Sequence, residues 1–223
     1  MGILRKFLLL TSISAALVVS AAAQSLAPDD DDNQLWNDLL ITIPVTKRVE
    51  VLILATARID RNFTNLDEAR LGTGVSVKVA KAVSLLAGYQ HIEVRGLAGN
   101  FRTEHRYTLR GGYKFPIKKF GLSHKSTYEY RVRNAGNSWR YRPSIIFEKK
   151  LPEGFIPKAK VFITEEPFYV STTRKFSRNR LSFGVSKTIN PHLTLDVYYL
   201  RQDDHTSLRG NADVLGTAWR VHL

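Results

Sequence analysis

The chain has 223 residues, with 33 Lys and Arg against 20 Asp and Glu, a formal charge of +13 and no cysteine. Without cysteine it holds neither a disulfide framework nor a thiolate metal centre. The positive balance suits an anionic solute, anionic lipid or nucleic acid as partner.

Residues 1–23 are expected to be an export signal. Arg5 and Lys6 open it, Phe7 to Val19 form an apolar run, and Ala21-Ala22-Ala23 supplies small residues for cleavage before Gln24. The run is too short for a membrane helix, which needs about 20 apolar residues, and no later stretch approaches that length. If the chain is integral to a membrane, it must cross as strands. Removing Arg5 and Lys6 leaves 31 basic and 20 acidic residues, so the mature chain carries +11. Export to the envelope argues against nucleic acid. Residues 24–33, with Pro28 and the run Asp29 to Asp32, read as a solvated acidic linker. The run lacks the spaced ligands and the glycine of a calcium loop.

From residue 34 to 223 the chain forms one domain of alternating stretches. Residues 48–60 put Val49, Val51, Ile53, Ala55, Ala57 and Ile59 on one face and Glu50, Thr56, Arg58 and Asp60 on the other. Residues 68–79 set Leu71, Val75, Val77 and Val79 against Glu68, Arg70 and Lys78, and residues 101–115 repeat the pattern. Period-two alternation over such lengths predicts strands. Residues 82–94, 120–133, 138–149, 157–168, 177–188, 192–203 and 209–223 complete ten. An eleventh, Gln34 to Ile43, is expected either at a barrel seam or across one mouth. Longer, more polar connections are expected to alternate with short ones marked by Pro116, Pro152 and Pro191, as in barrels with short periplasmic turns. Ten strands would leave the C-terminus periplasmic, and an odd strand does not fit that topology.

The fold class expected is all-β, an antiparallel transmembrane β-barrel of about 10–12 strands in the bacterial outer membrane. A soluble sandwich or barrel is the competing fold. Aromatic residues favour the membrane: Tyr107, Tyr113, Phe115, Tyr128, Tyr130, Trp139, Tyr141, Phe147, Phe183, Tyr199 and Trp219 share the apolar face, many near strand ends. A monomer is expected, with outer-membrane lipids around it and the barrel-assembly machinery as its partner in biogenesis.

Several features resemble the outer-membrane barrel family catalogued as domain of unknown function 2490: Gln34 and Trp36, the pairs Arg131/Arg133 and Arg140/Arg142, and Glu166-Pro167-Phe168-Tyr169 before Arg178 and Arg180. The resemblance covers nearly the whole mature chain. It implies an outer-membrane barrel and brings no established activity or site residues. Gly216, Trp219 and Val221 resemble the C-terminal assembly signal of such barrels, although the chain ends in Leu223 and not in an aromatic residue.

By alternation, the inward face carries nine candidate anion-binding arginines: Arg102, Arg106, Arg110, Arg131, Arg133, Arg140, Arg142, Arg178 and Arg180. Arg58, Arg70, Lys78, Lys114, Lys125, Lys158, Lys160 and Arg220 join them, making 17 cations. The acids expected there are eight: Glu50, Asp60, Glu68, Glu104, Glu129, Glu148, Glu166 and Asp196. Arginine stays charged and grips carboxylates or phosphates with a planar fork, so such a lumen attracts anions. The leading activity is therefore passage or binding of small anions. Barrels of about eight strands are filled by side chains, which leaves a structural barrel with a plugged lumen as the alternative.

A lipid-ester hydrolase is the third reading. His124 and Ser126 lie two apart on the apolar face, in a spacing similar to that of outer-membrane phospholipases and lipid A deacylases. Those families continue with asparagine, whereas Thr127 and Tyr128 follow here, and a serine nucleophile needs a base that is itself oriented. No enzyme activity is expected. Gly72 and Gly74 read as relief of crowding within a strand. Asp203, Asp204 and His205 read as a solvated loop, so neither metal nor cofactor is expected.

Overall fold

The computed structural model describes residues 32–96, 99–204 and 210–223. The expected signal segment and nearly all of the acidic linker lie outside them. Eleven strands follow in order: β1 Asp32–Pro44, β2 Val49–Asp60, β3 Asn65–Lys78, β4 Val83–Arg95, β5 Phe101–Lys114, β6 Gly121–Arg133, β7 Ser138–Lys150, β8 Ala159–Val170, β9 Lys175–Asn190, β10 Leu193–Asp204 and β11 Ala212–His222. They close into a barrel in which each strand pairs with its sequence neighbours. At 11 to 16 residues, every strand meets the 9–11 residues that a tilted transmembrane strand requires.

The segment expected at a seam or a mouth is the seam strand. β1 runs antiparallel to β2 and parallel to β11, in continuous register from Asp32↔Ala212 to Thr42↔His222. The physical reason is parity: an odd number of strands cannot close with every neighbour antiparallel, so one junction is parallel. A parallel ladder is slightly weaker per residue, and here apolar packing supports it from inside. Trp36, Leu200, Ala212 and Val214 are buried together at this junction, with Tyr198 against them.

One end of the barrel carries connections 45–48, 79–82, 115–120, 151–158 and 191–192; the other carries 61–64, 96–100, 134–137, 171–174 and 205–211. Connections of 2 to 8 residues at the first end and 4 to 7 at the second do not differ as the sequence suggested. The strands extend further into the polar segments than their alternation indicates, and β3, β8 and β9 absorb the apparent loop residues.

The outer wall is apolar. Leu71, Leu109, Ile163, Phe183 and Val197 stand exposed along it, together with Tyr107, Tyr128, Tyr130, Trp139, Tyr199 and Trp219. Leu71 and Leu109 are 62% and 61% exposed, which is costly in water and favourable in hydrocarbon. The inner wall is the reverse: Glu104, Arg106, Glu129, Arg140 and Asp196 are all buried. This inversion is that of a transmembrane barrel.

Glycine shapes the interior where a ring needs room. Tyr198 on β10 faces Gly216 on β11 and Gly184 on β9 in register. A Cβ on Gly216 would lie 2.1 Å from the Tyr198 ring, and one on Gly184 would lie 2.6 Å from Tyr198 Cβ. Gly72 and Gly74 also relieve crowding, since Cβ atoms there would meet the backbone carbonyls of Tyr89 and Ala87 at 2.8 Å.

Candidate functional site

Two carboxylates organise the middle of the lumen. Glu104 accepts Nε and Nη2 of Arg106 at 2.9 and 2.6 Å. It also takes the fork of Arg131 across the β5–β6 pair, at 2.9 and 2.6 Å. Glu129 accepts a hydrogen bond from Arg140, another from Arg142 at 3.1 Å, and lies 4.0 Å from Arg106 Nη1. Arg142 reaches Glu166 as well, at 3.2 Å. Alternation places these groups on one face, and the strand register opposes Glu129 to Arg140 and Arg106 to Arg131. Two smaller clusters complete the belt. Glu68 pairs with Arg70 and, at 3.3 Å, with Arg58; Arg178 donates to Asp204 at 2.7 Å.

Two buried rings pack into this charge layer. Trp36 lies under the guanidinium carbons of Arg58 at 3.7 Å and Arg180 at 4.6 Å. Phe168 is approached by Arg180 at 4.7 Å, Arg142 at 5.0 Å, Arg140 at 5.3 Å and Arg178 at 5.7 Å. Cations over ring faces gain electrostatic attraction, more so when desolvated. Arg180 thus sits between the two rings, and its Nε donates to Gln202 at 2.8 Å.

The candidate arginines fall into three groups. Arg106, Arg131, Arg140, Arg142 and Arg178 are ion-paired. Arg110, Arg133 and Arg180 donate to neutral oxygens, those of Thr127 at 3.0 Å, Ser138 at 2.8 Å and Gln202. Among the described residues, no carboxylate lies within ion-pair distance of these three. Arg102 stands apart, exposed at the start of β5 and outside both lumen chambers. Lys158, expected inward, is exposed in the turn before β8 with φ of 54°, because that strand begins only at Ala159.

Two chambers flank the belt. The mouth chamber, about 420 Å³, lies toward the 61–64 end and is lined by Arg58, Arg70, Arg106, Arg131, Arg133, Arg140, Arg178 and Arg180 against the acids Asp67 and Glu68. The second chamber, about 560 Å³, mixes charged residues with leucines. Trp36, Arg58, Arg70 and Arg180 line both chambers, which adjoin at these residues.

Sequence reasoning did not place Trp36 and Phe168 inside. Their parity carried the signal, since Trp36 alternates with Gln34 and Asp38, and Phe168 with Glu166. It also omitted the lumen acids Asp38, Asp67 and Asp204.

On the outer wall, His124 Nε2 and Ser126 Oγ are 2.8 Å apart, and Ser126 Oγ is 2.9 Å from the Tyr141 hydroxyl. Among the described residues, no carboxylate lies within ion-pair distance of His124. Asp203 pairs with Arg201 at 3.0 Å and Asp204 with Arg178, while His205 lies outside the described residues.

A family model described as "Protein of unknown function (DUF2490)" matches residues 33–212. The chain belongs to this family. An uncharacterized protein of Methylorubrum extorquens is 26% identical over 208 residues, covering 89% of this chain and 90% of its own. Among solved structures, an anion-selective porin from Comamonas acidovorans aligns with a TM-score of 0.42 and 11% identity, covering 79% of this chain. The chain spans about half of that porin, 54% of its length.

Proposed function

We propose that this barrel sits in the bacterial outer membrane and binds small anionic solutes in its mouth chamber, as a station on a passage through the lumen. The observation that carries this reading is the chamber wall, with eight arginines against two acidic residues. Several of those arginines are committed to carboxylates. Arg133 and Arg180 are not, and they supply guanidinium forks matched to carboxylate or phosphate. Catalysis has no part in this reading, because among the described residues no carboxylate lies within ion-pair distance of His124 to orient it as a base for Ser126.

The belt favours a second reading, a lumen closed to solutes. On this reading Trp36, Arg58, Arg70 and Arg180, which line both chambers, block passage between them. Bilayer recording in asymmetric KCl, with phosphate as a competing anion, tests both. Anion-selective current, blocked by phosphate and weakened by Arg133→Gln, supports passage. Phosphate binding without current supports a closed barrel with an anion site at its mouth, and cation selectivity or no binding removes the anion reading.

A further inference from the structure

The second chamber differs from the mouth in its wall chemistry. Toward the 45–48 end, Leu52, Leu54, Leu86, Ile146 and Phe162 face the lumen and not the lipid. Apolar side chains lining an internal chamber on this scale gain when an aliphatic group displaces water from them. Beside this wall, lining the same chamber, stand Arg110 and Lys125. Arg110 opposes Leu86 on β4 and Thr127 on β6, and Lys125 lies two residues before Thr127 on the same face. They are therefore diagonal neighbours across one strand pair.

The lining acids of this chamber are engaged elsewhere. Glu129 and Glu166 hold Arg142, Glu148 holds Lys160 at 2.5 Å, Asp196 holds Arg220, and Asp38 accepts the Thr56 hydroxyl at 2.6 Å. Among the described residues, neither Arg110 nor Lys125 has a carboxylate within ion-pair distance. Two adjacent cations that face the chamber with no ion-pair partner among the described residues, beside a leucine-lined wall, form a head-and-tail arrangement.

We propose that this chamber binds a medium-chain aliphatic carboxylate, its head on Arg110 and Lys125 and its tail along Leu52, Leu54, Leu86 and Ile146. The separation of Leu52 and Leu54 is two strand steps, roughly 7 Å, which accommodates several methylene groups. The inference uses none of the arginines particular to the mouth chamber. Phosphate binding lost with Arg133 and octanoate binding lost with Lys125 are therefore separate failures.

The test uses the mature chain in nanodiscs of deuterated lipid, with octanoate as the probe and empty nanodiscs as background. Acetate supplies the head alone and octanol the tail alone. At about fourfold per buried methylene, with roughly three to four of its six additional methylenes buried, octanoate should bind about 100-fold more tightly than acetate, with NMR contacts from its methylenes to the methyls of Leu52, Leu54 and Leu86. Arg110→Gln/Lys125→Gln should weaken octanoate at least about tenfold, the scale of a lost charge-assisted contact, and leave octanol unchanged. Lys125→Gln alone strands no partner, so it keeps the question open to test if the double variant fails to fold. Octanoate binding no tighter than acetate, contacts confined to the outward Leu85 and Leu109, or affinity unchanged in Lys125→Gln would overturn the proposal.

Discussion

Glu129→Gln tests whether the belt is a true buried ion network. The Glu129 side chain is 4% exposed and serves three arginines. After its charge is removed, Arg142 keeps Glu166 at 3.2 Å and Arg106 keeps Glu104 at 2.6 Å. Arg140, whose side chain is 6% exposed, loses the carboxylate it pairs with. One guanidinium is thus left uncompensated. Breaking a buried pair in this way costs about 3–5 kcal/mol, and the surviving partners of Arg106 and Arg142 place the expectation near 3 kcal/mol, roughly a hundredfold in the folding equilibrium. Urea unfolding of the barrel in lipid vesicles, followed by its heat-dependent gel migration, measures the cost. The double variant Glu129→Gln/Arg140→Gln should recover at least half, since it removes the stranded charge. A single variant within about 1 kcal/mol of the native protein, or a double variant no better than the single, would show that lumen water and not Glu129 compensates Arg140.

Arg133→Gln, by contrast, breaks only a hydrogen bond to Ser138, so stability should fall by about 1 kcal/mol or less; a loss as large as that of Glu129→Gln would make Arg133 structural. Gly216→Ala should destabilise the seam by about 1–3 kcal/mol through crowding of Tyr198, and native-like unfolding would disprove that packing. The mature protein should fractionate with outer membranes and run differently on gels without heating, whereas recovery as a soluble periplasmic protein would contradict the location. Purified protein should hydrolyse phospholipid or lipid A esters no faster than background; hydrolysis abolished by both Ser126→Ala and His124→Ala would reverse the non-enzymatic reading.

Most of the fold was legible because period two is a local signal. All eleven stretches are strands, with ends displaced by a few residues. Closure was less legible, because nothing local in Gln34 to Ile43 distinguishes a parallel seam from a cover over one mouth. That distinction rests on strand parity around the ring and on β1 meeting residues about 180 positions away. The arginine-rich lining was legible by alternation, as Arg106, Arg131 and Arg140 show. Its pairing was not, because cross-strand register decides that Arg140 meets Glu129 while Arg133 meets only Ser138.

That difference in pairing changes which residues can serve a solute. A formal excess of lumen cations suggests anion binding by the whole set, yet an arginine already gripping a buried carboxylate loses that partner's attraction if it turns to a solute. Glu104, Glu129, Glu68 and Asp204 hold the belt together and set its height in the barrel. Cations held instead by hydroxyls, an amide or ring faces give up much less to receive an anion. Arg133 and Arg180 on the mouth side and Arg110 in the second chamber are of this kind, and Lys125 beside Arg110 has no carboxylate within ion-pair distance among the described residues. On the proposed reading, the paired arginines brace the lumen, and the cations without carboxylate partners, Arg133 and Arg180 in the mouth chamber and Arg110 and Lys125 in the second, are the ones left to receive a solute.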